Sequence, residues 1–213
     1  MNSTADLLKK GAELLLDYYI EEKPVSESSL LNILLLIKKC TLCNAAEKKN
    51  IFPRGNIKSQ IMILLDNPAI YNNYPAEEIE TIFTKMFNAI NIDLNNLYIS
   101  FLPKCNLQPT EDLNKNCRNL ILKEINLLRI KYIISFGKTS ANILLNNDFS
   151  IEKIRKQNFY EIDNLKIVST YHPMDYLPEN NKSMKIDIWN DVKLFNKILK
   201  SENVLRNSHT YSG

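Results

Sequence analysis

The sequence predicts an α/β fold: a single domain on a central parallel four-stranded sheet flanked by helices, with an N-terminal helical extension. Two observations lead to this prediction. Short apolar runs bounded by polar residues recur along the chain, as buried parallel strands require, and amphipathic stretches of helical length separate them. Because parallel strands need crossover connections, this alternation favours helices on both faces of the sheet.

Strands and helices are predicted in alternation from residue 61 onward. The four predicted strands are residues 61–65, 97–102, 131–136 and 167–170. The four predicted helices are residues 77–90, 113–128, 139–146 and 184–199. Each predicted strand spans 4–6 residues and contains a short apolar stretch, and the predicted helices occupy the longer segments between the strands and after the last one.

The chain is expected to have three parts. Residues 1–39 form a helical extension, with helices over 3–22 and 30–39 separated by Pro24. Residues 40–200 form the α/β domain. The polar residues 201–213 are expected to be a disordered tail.

Composition bounds the function without choosing it. The net charge is only +3, from 27 Lys and Arg against 24 Asp and Glu, so a nucleic-acid partner would require a local basic surface. No secretory signal pattern opens the chain, and the longest uncharged Leu/Ile-rich stretch, residues 28–37, is too short to cross a bilayer. We therefore expect a cytoplasmic protein with no membrane partner.

All four cysteines are candidate ligands of one metal centre. Cys40 and Cys43 form a C-x-x-C pair at the end of a predicted helix, and Cys105 and Cys117 follow later in the chain. In a reducing compartment such cysteines indicate metal binding before disulfides. Zinc and a [4Fe–4S] cluster both accept four thiolates, so the spacing leaves the metal open. Four unrelated buried thiols are the alternative.

A second candidate site lies where predicted strands end. Tyr171-His172-Pro173 directly follows the fourth strand, and Asp66 follows the first. Active sites of open parallel sheets gather at the carboxyl ends of the strands. An acid and an imidazole there can support hydrolysis, with Asp66 facing cationic character and His172 facing the leaving group.

Several segments in order resemble the family 4 uracil-DNA glycosylases across residues 40–199. They are CTLC, IFPRGN, IMILLDNPA, YISFLPKC, KYIISFGKTSANILL and STYHP, followed by Trp189. The resemblance implies a small, monomeric α/β enzyme whose four cysteines hold a [4Fe–4S] cluster. It also implies that the enzyme flips uracil out of DNA and hydrolyses its N-glycosidic bond, with Asp66 and His172 as catalytic residues.

The pocket motifs depart from that family. Its first motif, Gly-Glu-Ala/Gly-Pro-Gly, is replaced here by LDNPA from Leu65 to Ala69, and Phe101 stands where an asparagine reads the edge of uracil. Tyr74 is the best candidate for the residue that stacks on the base. The expected substrate-binding residues are Leu65, Asn67, Tyr74 and Phe101. Because phenylalanine cannot make the hydrogen bond of that asparagine, weakened or shifted base specificity is predicted.

Three functions therefore remain open from the sequence. The first is a glycosylase acting on uracil or a related damaged base in single- or double-stranded DNA. The second is a catalytically degenerate iron–sulfur protein that still binds nucleic acid. The third is a zinc-stapled α/β protein unrelated to repair, which iron analysis distinguishes from the other two.

Overall fold

The computed structural model describes residues 25–40, 49–71, 73–107, 111–177 and 179–204, with the backbone alone at 111–113. The helix predicted over residues 3–22, Cys43 and most of the predicted tail lie outside the described residues.

One six-stranded sheet organises the described residues. Its strands are β1 (Arg54–Gly55), β2 (Ile61–Asp66), β3 (Tyr98–Leu102), β4 (Tyr132–Phe136), β5 (Tyr160–Ile162) and β6 (Leu165–Thr170). Their order across the sheet is β1-β3-β2-β4-β6-β5. The four inner strands are mutually parallel, and the edge strands β1 and β5 pair antiparallel with β3 and β6.

The α/β class and the four parallel strands are confirmed, but the sheet has six strands instead of four. The two additional strands span only two and three residues. Neither is long enough to show an alternating pattern, and most of their side chains are exposed. Their pairing with an inner strand defines them, and a single segment of sequence does not carry that information.

Seven α-helices are described. They are α1 (Glu27–Lys38), α2 (Ala76–Asn88), α3 (Glu111–Leu128), α4 (Lys138–Leu145), α5 (Ile151–Arg155), α6 (Pro173–Tyr176) and α7 (Lys182–Ser201). Short 3₁₀ turns occur at Pro68–Ile70 and Leu94–Asn96. None of the helices in the described ranges combines the length and the apolar character that a membrane span needs.

Two apolar layers cover the two faces of the sheet. All six residues of β2 are buried, which is why this strand is an uninterrupted apolar run until Asp66. Ile63 and Leu65 belong to the layer formed with α2 and α7, whereas Met62 and Leu64 belong to the layer formed with α1 and α3. The carboxyl ends of β2, β4 and β6 therefore emerge between two packed layers.

A buried ion pair fixes α3 against the end of β3. Lys104 and Glu124 are about 98% buried and form a salt bridge. Glu124 also accepts hydrogen bonds from the hydroxyls of Tyr98 at 2.7 Å and Ser100 at 2.8 Å. A buried charge needs such compensation, because water is not available to solvate it.

Glu124→Gln should lower the free energy of unfolding by about 3–5 kcal/mol, because it leaves the Lys104 ammonium buried without its counter-charge. Urea unfolding measures the loss. The matched control is Glu80→Gln, which removes the exposed partner of Arg54 and should cost less than about 1 kcal/mol. Equal losses for the two variants would show that the buried pair does not stabilise α3.

Candidate active site

The Asp66 carboxylate lies at the N-terminus of α4. Its Oδ1 accepts a hydrogen bond from the Ser140 backbone N–H at 2.6 Å, and its Oδ2 accepts one from the Thr139 N–H at 3.3 Å. These amides are among the four at the start of a helix that have no partner within the helix. Asp66 therefore caps α4 from a neighbouring strand, and the positive end of the helix dipole favours its charge.

Gly137 makes this approach possible. Its φ is +108°, and a Cβ built at this position would lie 2.2–2.6 Å from the carboxyl atoms of Asp66. An L-residue would be strained by that backbone conformation and would also displace the carboxylate. The glycine in the SFGKT segment is thus required by the position of Asp66.

Burial raises the pKa of Asp66 to about 6, and the hydrogen bonds from Ser140, Thr139 and Tyr71 oppose that rise. The carboxyl group consequently changes charge near neutral pH. A group that titrates in this range is well placed for acid–base or electrostatic work.

His172 is the first residue after β6 that the site uses, and it is completely buried. Its Nδ1 accepts a hydrogen bond from the Met174 backbone N–H at 3.1 Å, which places the ring proton on Nε2. Nε2 is buried and has no hydrogen-bond partner in the described part of the chain. Burial lowers the pKa of His172 to about 3, so the imidazole is neutral at physiological pH.

Tyr71 connects these two residues, and it is not among the site residues predicted from the sequence. Its hydroxyl donates to Asp66 Oδ2 at 3.1 Å. Its ring stacks on the His172 imidazole, with centroids 4.9 Å apart and planes 20° apart. The available signal was an aromatic residue in the loop that directly follows Asp66.

The predicted pair of Asp66 and His172 is therefore linked through a third side chain. Asp66 accepts hydrogen bonds from the first amides of α4, whereas the His172 ring lies near Phe83 of α2. The structure covers His172 fully, although a residue that faces the leaving group has to meet the substrate. Tyr71 reaches both groups from the edge of the sheet.

The predicted substrate-binding residues Leu65, Phe101 and Tyr74 lie on the His172 side. Leu65 is buried beside Phe101 in the parallel register of β2 and β3, and both belong to the layer formed with α2 and α7. The half-buried Tyr74 ring lies 5.9 Å from His172 and is tilted by 40°. Phe101 offers an apolar surface there and no hydrogen bond.

Asn67 is fully buried and bonded to backbone on all sides. Its Nδ2 donates to the carbonyls of Pro103 at 2.9 Å and Cys105 at 2.8 Å, and its Oδ1 accepts from the Ala69 N–H at 2.8 Å. The amide thus joins the loop after β2 to the cysteine loop. Its role as a base-edge reader stays a prediction, and contact with a base would require breaking these bonds.

Three of the four cysteines are described. Cys105 and Cys117 are buried in the same apolar layer, and Cys40 follows α1, which packs on the helix that carries Cys117. A donor set made of thiolates alone suits zinc or an iron–sulfur cluster. Among the described residues, however, no three potential ligands form a metal-binding group. Cys43, the fourth predicted ligand, lies outside them.

Comparison with known proteins identifies the class to which this fold and site belong. The model of the uracil DNA glycosylase superfamily matches residues 52–193. Because the match covers more than half of the 213 residues, the chain belongs to that superfamily of DNA glycosylases.

Within the superfamily, the chain is similar to type-4 uracil-DNA glycosylases, as the sequence motifs predicted. The enzyme of Thermotoga maritima is 21% identical over 183 residues, which cover 78% of this chain and 92% of the relative. The enzyme of Archaeoglobus fulgidus is 24% identical over 162 residues, which cover 68% and 81%.

Gly137→Ala should displace the Asp66 carboxylate from α4, so the Thr139 and Ser140 amides should exchange with solvent at least about tenfold faster. Amide hydrogen exchange followed by NMR measures this. Gly55→Ala is the control, because Gly55 also has positive φ, at +95°, but meets the Leu97 carbonyl instead. Both variants should lose about 1–3 kcal/mol of stability. Unchanged exchange at Thr139 and Ser140 in Gly137→Ala would contradict the cap.

Proposed function

We propose that this protein is a DNA glycosylase that hydrolyses the N-glycosidic bond of uracil, or of a related damaged base, with weakened or shifted specificity. We further propose that it acts as a cytoplasmic monomer on DNA. The observation that carries the proposal is the neutral His172, whose Nε2–H is a buried donor with no partner in the described structure. An unpaired buried donor costs about 1–3 kcal/mol, and a ligand oxygen would remove that cost.

The reaction needs a donor at the departing base. The bond between C1′ of the sugar and the base nitrogen breaks, and its electron pair leaves with the base. Water adds to C1′, and one of its protons ends on the base, which gives a free base and an abasic site. The Nε2–H of His172 donates to the carbonyl oxygen on which negative charge develops, as preorganised donors do in other enzymes.

A neutral imidazole suits this task. Because the pKa of His172 is near 3, the ring keeps its Nε2 proton and does not protonate further at physiological pH. The Met174 N–H at Nδ1 holds this tautomer.

Asp66 supplies the complementary charge. Above its pKa of about 6 the carboxylate is ionised, and it can stabilise the positive charge that develops on the sugar. The amides of α4 hold it in place before the substrate arrives. Activity should therefore fall as pH decreases through about 6, because protonation removes the negative charge.

Access requires movement. A base must leave the duplex stack to be reached, and His172 is fully covered in this state. Neighbouring side chains must shift for a base to meet Nε2. Unpaired uracil costs less to extrude than paired uracil, so single-stranded or mismatched substrates should be preferred.

The pocket supports weakened uracil reading. Phe101 and Leu65 are apolar, and the Asn67 amide is committed to backbone partners. Each missing polar contact in a buried recognition site should forfeit about 1–3 kcal/mol. The same observation favours the second candidate, a catalytically degenerate protein that still binds nucleic acid.

Phe101→Asn should raise excision from a single-stranded uracil oligonucleotide by about tenfold or more, because the amide can bond the base edge. His172→Gln should lower it by about a hundredfold. Base release by chromatography measures both, and Phe149→Asn, which changes an exposed phenylalanine elsewhere, should have no effect. If the wild type and Phe101→Asn both bind DNA and neither excises uracil, the degenerate binding protein is favoured.

The four cysteines are proposed to hold a [4Fe–4S] cluster. The burial of Cys105 and Cys117 in one layer and the packing of α1 on α3 support this proposal. When bound, the cluster would supply a structural link between the loops that carry the cysteines and would take no part in bond cleavage. The Cys105 carbonyl accepts a hydrogen bond from the Asn67 side chain, which connects the loop that carries Cys105 to the loop after Asp66.

Anaerobically purified protein should contain about four iron atoms per chain and should absorb light at about 400 nm. Cys105→Ser should lose iron and lower the thermal unfolding midpoint, since metal binding contributes to folding. Ser100→Ala, which alters a neighbouring buried hydroxyl, should keep its iron. About one zinc and no iron in the wild type would contradict the cluster and leave the glycosylase proposal standing.

A further inference from the structure

The active-site loop carries a residue that contacts both proposed catalytic groups. We propose that Tyr71 is a positioning residue: its hydroxyl holds the Asp66 carboxylate, and its ring fixes the plane of the His172 imidazole. This inference rests on the proposed function, because it names the residue that holds the Asp66 carboxylate and the His172 Nε2–H in their relative positions.

The contacts form a continuous series from α4 to His172. The amides of Thr139 and Ser140 fix Asp66, and Asp66 Oδ2 accepts from the Tyr71 hydroxyl at 3.1 Å. The Tyr71 ring then lies nearly parallel to the His172 imidazole. The series therefore connects the start of α4 to His172, which lies two residues beyond the end of β6.

The stack supplies a constraint that the Nδ1 hydrogen bond does not. The bond from the Met174 N–H fixes one ring atom, whereas the stacked tyrosine restricts the tilt of the ring plane. Tyr74 is tilted by 40° and Phe83 by 66° relative to the imidazole, so neither is stacked on it. Tyr71 covers a face of the ring, and the buried Nε2 has no hydrogen-bond partner in the described part of the chain.

The Tyr71 hydroxyl keeps its proton at physiological pH. Burial raises its pKa strongly, and the negative charges of Asp66 and Asp175 add to that rise. Asp175 accepts from the His172 backbone N–H at 2.8 Å, and Lys138 precedes the capped amides. The titratable groups that act on this series are Asp66, Tyr74, His172 and Asp175, whereas Lys138 pairs with the exposed Asp148.

The decisive variant is Tyr71→Phe, which keeps the ring and removes the hydroxyl. It should lower kcat on a single-stranded uracil oligonucleotide by about tenfold with little change in KM, because a misplaced group slows chemistry more than binding. Loss of a donor to the carboxylate should also raise the pKa of Asp66. The decline of kcat at low pH should then begin at a higher pH than in the wild type.

Tyr160→Phe is the matched control. It removes the tyrosine hydroxyl that donates to the Ile154 carbonyl at 3.2 Å on the β5 side of the sheet. Its kcat and pH profile should stay within about twofold of the wild type. A general loss of stability from deleting a tyrosine hydroxyl would affect both variants alike.

NMR gives a readout that does not depend on catalysis. The chain has two histidines, so a His209→Gln variant assigns the His172 ring signals. In Tyr71→Ala the His172 pKa should rise from about 3 toward its ordinary value as water reaches the ring. In Tyr71→Phe it should stay low, while the Asp66 carboxyl signal titrates at a higher pH.

Each outcome decides something. Unchanged kcat and an unchanged Asp66 titration in Tyr71→Phe would overturn the inference, and a higher kcat/KM in Tyr71→Ala would show that Tyr71 blocks base entry instead. A wild type inert on every uracil substrate would refute the proposed function alone. The NMR titrations of Asp66 and His172 would still decide whether Tyr71 positions both groups.

Discussion

The contact between the Asp66 carboxylate and the first amides of α4 is the constraint on which the site depends. It places a buried acid at the junction of β2 and α4, and it excludes any side chain at Gly137. Helix amides are suitable partners because they are unpaired, rigid and oriented. The position of Tyr71, and through it the stacked face of His172, follows from this contact.

Buried polar groups hold the other loops at this edge of the sheet. Asn67 uses its whole amide to join the loop after β2 to the backbone of Pro103 and Cys105. Lys104, which lies between these two residues, forms a salt bridge with Glu124 of α3. The loop that carries Cys105 is therefore joined directly to the loop that follows Asp66.

The two titratable groups affect stability in opposite directions. The folded-state pKa of Asp66 is raised, so its contribution is fully present below its ordinary value of 3.8 and is lost as pH rises through about 6. The folded-state pKa of His172 is lowered, so its contribution is present above 6.5 and is lost as pH falls toward about 3. As pH rises from 3.8 to about 6, the loss of the Asp66 contribution is partly offset by the gain of the His172 contribution. The fold thus tolerates a buried acid and a buried imidazole in one site.

The sequence by itself determined the α/β class, the four inner strands and the position of Asp66 and His172 at strand ends. Apolar runs and helical periods are local, and they record burial directly. Only the tertiary structure showed that the Asp66 carboxylate caps α4 and that the Asn67 amide is hydrogen-bonded to backbone groups. It also showed that Tyr71 contacts both Asp66 and the His172 imidazole. These are contacts between separate segments, and their geometry depends on how the sheet and helices pack, which no single stretch of residues encodes.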